Sequence, residues 1–200
     1  MTQYSAAMRL TIKLANKGNA AAQFNLGTMY SNGKNCDQNL TEGMRYYKLA
    51  ADQGHANAQF CIGSMYMFGE GIDNNYDEAV RYYKLSADQE QCEAQLILAN
   101  LYNSGKLDVQ NHKAEALRYY LKVLKNETNT QKHCEDAIER ITAFARDKDF
   151  VVKYCLGCCK ERKLKTCARC KVARFCSTEC VQRTWTYHKP YCNMWENECE

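Results

Sequence analysis

Apolar and polar positions along the first 146 residues follow a helical period. Near Ala21–Tyr30 the side chains Phe24, Leu26, Gly27 and Tyr30 recur in the i, i+3, i+4 manner, which predicts a helix with one buried face. The same pattern returns near Asn57–Met67 and Glu93–Tyr102. A Gly-bearing loop follows each stretch, and a second helix is predicted after Asn39, Asn75 and His112. Each of these has Glu three residues on (Glu42, Glu78 and Glu115), and for the two Asn the pair resembles a capping box. Gly54, after Ala50-Ala51-Asp52-Gln53, is placed to end its helix in the left-handed conformation. From Thr130 to Arg146, Ala137, Ile138, Ile141 and Ala145 share one face opposite Glu135, Glu139 and Arg146, which predicts a capping helix.

The elements repeat. Ala22-Gln23 recurs as Ala58-Gln59 and Ala94-Gln95, 36 residues apart, and Tyr30, Tyr66 and Tyr102 keep that step, as do Gly33, Gly69 and Gly105. Arg45-Tyr46-Tyr47 returns as Arg81-Tyr82-Tyr83 and then, one residue later than the period, as Arg118-Tyr119-Tyr120. Residues 5–18 match the second half of a unit, with Gly18 in register with Gly54. Small residues stand where helices would cross: Gly27, Gly63 and Ala99 at one position, Ala51 and Ala87 at another. Hairpins of this size cannot bury their apolar faces alone, so each covers its neighbour.

The pattern A-x-A-Q-x-x-L-G-x-x-Y-x-x-G, a loop, then A-x-R-Y-Y-K-x-A-A-D-Q-G resembles the Sel1-like repeat, a relative of the tetratricopeptide repeat, over residues 5–125. Gly69-Glu70-Gly71-Ile72 matches the family's G-x-G-V loop, whereas Asn35-Cys36 stands there in the first unit. The resemblance implies an all-α fold, an α-solenoid of helical hairpins used as a protein-interaction scaffold.

A second pattern begins at Cys155. Cys155, Cys158, Cys167, Cys170, Cys176, Cys180, His188 and Cys192 fall within 38 positions as four pairs, C-x2-C, C-x2-C, C-x3-C and H-x3-C. Two donors two to four residues apart can point at one tetrahedral ion, and four such pairs fill two closed zinc sites. Cys155-x3-Cys159 is an alternative first pair; C-x2-C is the tighter turn. The order C-x2-C-x8-C-x2-C-x5-C-x3-C-x7-H-x3-C resembles a MYND-type zinc finger. Its local words agree: Arg174-Phe175-Cys176-Ser177 matches R-[YF]-C-S, and Trp185-x-x-His188-Lys189-x-x-Cys192 matches W-x-x-H-K-x-x-C.

The resemblance implies two structural Zn2+ ions held in interleaved fashion, the first by Cys155, Cys158, Cys176 and Cys180, the second by Cys167, Cys170, His188 and Cys192. It also implies a surface for short proline- and leucine-containing peptides, carried here onto Phe175, Ser177, Gln182 and Trp185. The family's usual Gln after the sixth ligand is replaced by Val181, with Gln182 next to it. Short helical stretches are expected after Cys176 and around Val181–His188. A RING finger, the main rival with eight interleaved ligands, places its His fourth and not seventh.

Composition and charge narrow the picture. The longest apolar runs are a few residues, far short of the roughly 20 that span a bilayer, and the first residues lack the apolar core of an export signal. The expectation is an intracellular protein, cytoplasmic or nuclear, whose 13 cysteines stay reduced and whose clustered ones bind metal. Residues 1–152 hold 17 Lys+Arg against 18 Asp+Glu, and residues 153–200 hold 10 against 5. Seven thiolates on two divalent ions cancel much of that excess, so the basic block is a weak argument for nucleic acid.

The Tyr pairs read as packing residues because they recur in every unit, and Cys36, Cys61 and Cys92 read as small buried or half-buried side chains. His55, His112 and His133 have no partner at ligand spacing. No G-x-S-x-G elbow, phosphate-binding Gly loop or H-x-x-x-H pair occurs, so no catalytic residues are assigned and an enzyme is not expected. The expected organisation is a solenoid over 1–129, with repeats at about 20–55, 56–91 and 92–126, a capping helix or linker over 130–149, and the finger with an acidic tail over 150–200. The expected role is an adaptor whose partners are other proteins. Two rivals are nucleic acid, through Arg162, Lys163, Lys165, Arg169, Lys171 and Arg174, and an accessory role in ubiquitin transfer.

Overall fold

The helices begin where the capping residues stand. In the computed structural model, which describes residues 5–107, 112–125, 131–146, 165–166 and 174–175, the Asn19 Oδ1 accepts from the Ala22 N–H at 2.8 Å, and the Asn39 and Asn75 side chains accept from Glu42 and Glu78 N–H at 3.0 Å. His55 uses Nδ1 on the Ala58 N–H in the same way. Each cap satisfies one of the orphan donors of a first turn.

Eight α-helices result among the described residues: α1 (Ala6–Asn16), α2 (Ala20–Asn32), α3 (Leu40–Asp52), α4 (Ala56–Phe68), α5 (Tyr76–Asp88), α6 (Cys92–Asn103), α7 (His112–Lys125) and α8 (Gln131–Arg146). A two-residue antiparallel pair, β1 (Lys165–Thr166) with β2 (Arg174–Phe175), is the only strand structure described. The fold is thus the all-α arrangement of helical hairpins expected from the repeat.

The capping boxes are only half formed. Glu42 and Glu78 do not reach back to their Asn; the Asn39 and Asn75 N–H groups donate instead to Tyr30 and Tyr66 carbonyls, 2.9 and 3.0 Å away. The carboxylates are thereby free for Arg45 and Arg81. The loops also converge on one backbone shape from different residues. Gly71 has φ +72° and Asn35, its counterpart in the first hairpin, φ +67°, a region that Asn tolerates better than most side chains. Gly54 has φ +83°, and Glu90 occupies the same place with φ +63°. A side chain there costs roughly 1–2 kcal/mol, so packing and not local preference holds this turn.

The chain divides into two compact units, residues 1–94 and 95–200. In the first, one core cluster gathers Met8, Ala15, Ala22, Leu26 and Tyr46, and the next gathers Met44, Tyr47, Ala50, Ala51, Ala58, Ile62 and Met65. The hairpins close tightly: a Cβ on Gly27 would lie 2.7 Å from the Tyr47 ring, and one on Gly63 2.8 Å from the Tyr83 ring. In the second unit, Leu98, Leu117, Tyr120, Val123 and Ala137 are fully buried, and α8 packs on α7.

Candidate functional site: the solenoid faces and the zinc-ligand block

Adjacent residues on a helix point about 100° apart, and the Tyr pairs use both directions. The first Tyr of each pair stacks on the Tyr of the preceding helix: Tyr46 on Tyr30 at 5.8 Å, Tyr82 on Tyr66 at 6.0 Å, and Tyr119 on Tyr102 at 5.7 Å. Arg45 lies 4.1 Å over the Tyr46 ring while Glu42 accepts from its Nε and Nη2, and Arg81, Tyr82 and Glu78 repeat this. In the third unit Lys122 takes the place over Tyr119, and Arg118 pairs with Glu115 at 3.6 Å. Hydrogen bonding with Arg81 lowers the Glu78 carboxyl pKa and raises that of the guanidinium.

The second Tyr of each pair turns inward. The hydroxyl of Tyr47 meets Thr28 Oγ1 at 3.2 Å, that of Tyr83 meets Ser64 Oγ at 3.1 Å, and that of Tyr120 donates to Asn100 Oδ1. Burial raises all three phenols, Tyr120 to about 12. These rings pack the hairpins, as their recurrence in every unit leads one to expect.

Within the first unit a groove of about 560 Å³ opens between the first two hairpins, lined among others by Ser31, Asn32, Tyr47, Phe60, Cys61 and Ser64. Its polar groups are neutral hydroxyls, the two amides of Asn32 and Gln38, and a thiol, with the carboxylate of Glu70 beside them. Burial pushes the Cys61 thiol up, and burial followed by the charge of Asp37 does the same for Cys36. Both are protonated at neutral pH and poor nucleophiles. Cys92 is buried, and Cys134, like Cys36 and Cys61, is half-buried.

Gln23 and Gln59 have a role that the sequence pattern alone does not assign. Each is nearly fully buried. Gln23 Nε2 donates to the Ala15 carbonyl and Gln59 Nε2 to that of Ala51, across to the previous helix, at 3.2 and 3.4 Å. Their Oε1 atoms accept from Gln53 and Gln89 of their own hairpins at 2.6 and 2.7 Å. The signal was present as the recurring Ala-Gln and Asp-Gln words, but only the helix crossing shows that they meet.

All eight expected metal ligands (Cys155, Cys158, Cys167, Cys170, Cys176, Cys180, His188 and Cys192) lie outside the described residues, as do Ser177, Gln182, Trp185 and the helical stretches expected around them. Phe175 is described, on β2, where it stands opposite Lys165, and Thr166 stands opposite Arg174. The pairing therefore brings together two chain segments that each run directly into an expected ligand, Cys167 and Cys176. Seven thiols and one imidazole without a carboxylate form a soft donor set of the kind structural zinc takes. No group of three or more His, Cys, Asp or Glu side chains that could hold a metal occurs among the described residues, and none of their helices is long and apolar enough to cross a membrane.

Comparison with known proteins bears on both regions. The family model "Sel1 repeat" matches residues 20–55, 56–90 and 92–122, and the model "MYND finger", a zinc-binding domain, matches residues 153–192. A Sel1 repeat protein from Oxalobacter formigenes is similar in structure, with a TM-score of 0.59 and 26% identity over 68% of this chain and 99% of that one. The protective antigen c5321 of uropathogenic Escherichia coli, which displays an SLR fold, matches with a TM-score of 0.57 and 19% identity over 98% of this chain and 44% of that one. No match was found among curated proteins. Sel1 repeats and a MYND finger point to a role in protein–protein interaction, on a scaffold that is not a typical enzyme fold. The chain belongs to the Sel1 repeat family and carries a MYND finger after its repeats.

Proposed function

We propose that this protein is an intracellular, non-enzymatic adaptor in which the solenoid, residues 1–129, holds one protein and the finger, residues 150–200, holds a short proline- and leucine-containing peptide of another. The observation that carries this reading is the coexistence of three Sel1 repeats and a MYND finger on one chain. Linking two modules makes the second binding event intramolecular, so two weak contacts give avidity.

In this reading two Zn2+ ions are structural. Cys155, Cys158, Cys176 and Cys180 hold the first; Cys167, Cys170, His188 and Cys192 hold the second. Four protein donors leave no position for a bound water, so the metal supplies folding energy and not a hydroxide. The peptide lies against Phe175, Ser177, Gln182 and Trp185, with Gln182 supplying the amide that Val181 lacks. Capture of partners by the intact chain and by Cys167→Ser tests the division of labour. Loss of one subset of partners is expected, and identical sets for both proteins would remove the finger from the function.

A further inference from the structure

The fittings that hold the hairpins together recur from unit to unit, but the mouth of the groove between the first two hairpins does not. Helix α4 ends on Phe68, which is 70% exposed, the highest value among the exposed large apolar side chains described. One period away its place is taken by Asn32 and by Ser104. Two residues on, Glu70 stands where the first loop has Lys34 and the third has Lys106. Packing residues repeat here, as Gly27 does with Gly63 and Tyr47 with Tyr83. No packing role asks for a Phe and a carboxylate that occur in one unit alone.

Ser64 lines the groove, and Phe68 follows it by four residues on the same face of α4, so its ring extends that wall. Glu70 lines the groove itself and is held there by its loop. Its N–H donates to the Met65 carbonyl at 3.0 Å, and Gly71 sits so close to the start of α3 that a Cβ there would run into the Leu40 side chain. The carboxylate has no ion-pair partner among the described residues, and no Lys, Arg or His lines the groove. Positive charge must therefore come with the ligand, and a phosphate or carboxylate is repelled. Part of the neutral lining is also unspent. The Asn32 amide makes no hydrogen bond among the described residues, and Gln38, whose Nε2 donates to the Ser31 carbonyl at 2.8 Å, keeps its Oε1 as an acceptor. Such amides match the N–H and C=O groups of a peptide, while Leu40, Phe60 and Met65 offer apolar surface. A volume of about 560 Å³ lies within the roughly 300–1,000 Å³ of ligand sites.

We infer that this groove takes an arginine-bearing segment of a partner protein, its guanidinium against the Glu70 carboxylate and the Phe68 ring, its backbone along Asn32 and Gln38. Arginine fits better than lysine because its planar fork meets a carboxylate with two bonds and also stacks on an aromatic face. A small free amine would leave the amides and the apolar lining unused. This deepens the solenoid half of the adaptor reading and rests on it. The finger does not enter, so partners lost from Cys167→Ser remain a separate result.

The probe is a phage-displayed library of random heptapeptides selected on the intact chain, the most enriched peptide then being labelled and titrated by fluorescence anisotropy. Enrichment of arginine is expected, and lysine in its place weakens binding by about threefold. Glu70→Lys weakens it by at least about tenfold and Phe68→Ser by about threefold. Both leave the circular dichroism unchanged, because both side chains are exposed. Added salt weakens the intact chain more than Glu70→Gln. A selection without arginine, or peptides indifferent to Glu70→Lys and Phe68→Ser, overturns the proposal. So does binding that Cys167→Ser abolishes and Glu70→Lys spares, which places the peptides on the finger, or a dimer in sedimentation that Glu70→Lys dissociates, which gives the groove to a second copy.

Discussion

The helical hairpins and the cysteine block both repeat, but what recurs in them differs. In the hairpins the recurring residues are steric and polar fittings: Gly27 and Gly63 under Tyr rings, Gln23 and Gln59 between helices, Asn39 and Asn75 at helix starts. In residues 155–192 the recurring residues are Cys and His pairs at the spacing of metal donors. A hairpin spreads its stability over many such fittings, each worth a few kcal/mol or less. A module of about 40 residues buries too little to fold that way and concentrates its stability in its ions. Damage should therefore be graded in one region and all-or-none in the other.

The largest effect expected is metal removal. Chelation of the intact chain should release two zinc ions per molecule, each worth on the order of 10 kcal/mol of folding energy in comparable peptides, and abolish peptide binding by the finger. The far-ultraviolet helix signal should persist, since the described helices contain none of the expected ligands. Next is Gly63→Ala, whose methyl would press on the Tyr83 ring and approach the Ala79 carbonyl at 3.2 Å. It should cost about 2–3 kcal/mol in urea unfolding, as overpacked cores do. Gly54→Ala, with open space around its Cβ but φ +83°, should cost only the backbone strain of about 1 kcal/mol.

Gln59→Leu should cost about 1 kcal/mol, because it removes two hydrogen bonds while the Ala51 carbonyl keeps the Gly54 N–H and the exposed Gln89 amide reaches water. A Gln59→Leu/Gln89→Leu double variant should lose less than the sum of the two single variants, because both remove the same bond, which separates the bond from simple packing. The smallest effect is on pH dependence. Tyr120 binds its proton more tightly folded than unfolded, with its pKa raised from 10.0 to about 12. The stability from its burial is complete below pH 10 and drains away as pH rises toward 12. Tyr47 and Tyr83 shift in the same direction. A thermal-melt series across that range should show a steady fall in Tm, smaller in Tyr120→Phe.

Within the repeat region, first and second hairpins show how much of this was legible. The period of 36 residues was read directly from Arg45-Tyr46-Tyr47 and Arg81-Tyr82-Tyr83, since identical local words need no structure to align. That adjacent Tyr side chains diverge follows from helix geometry. That one stacks on Tyr30 while the other bonds to Thr28 depends on how two helices cross. The expected capping box gave way for the same reason: Asn39 N–H is taken by a carbonyl of another helix, which no window of four residues contains. The β1–β2 pair had no sequence signal, because two-residue strands are too short to show alternation.

The sequence by itself determined the repeat, the helix starts, and the order and spacing of the Cys and His pairs. Each depends on residues a few positions apart, where the chain's own covalent geometry sets the distances. Only the tertiary structure decided which Tyr faces which way and that Gln23 and Gln59 tie one hairpin to the next. Those outcomes depend on pairs up to 30 residues apart, which meet only when packed helices bring them together.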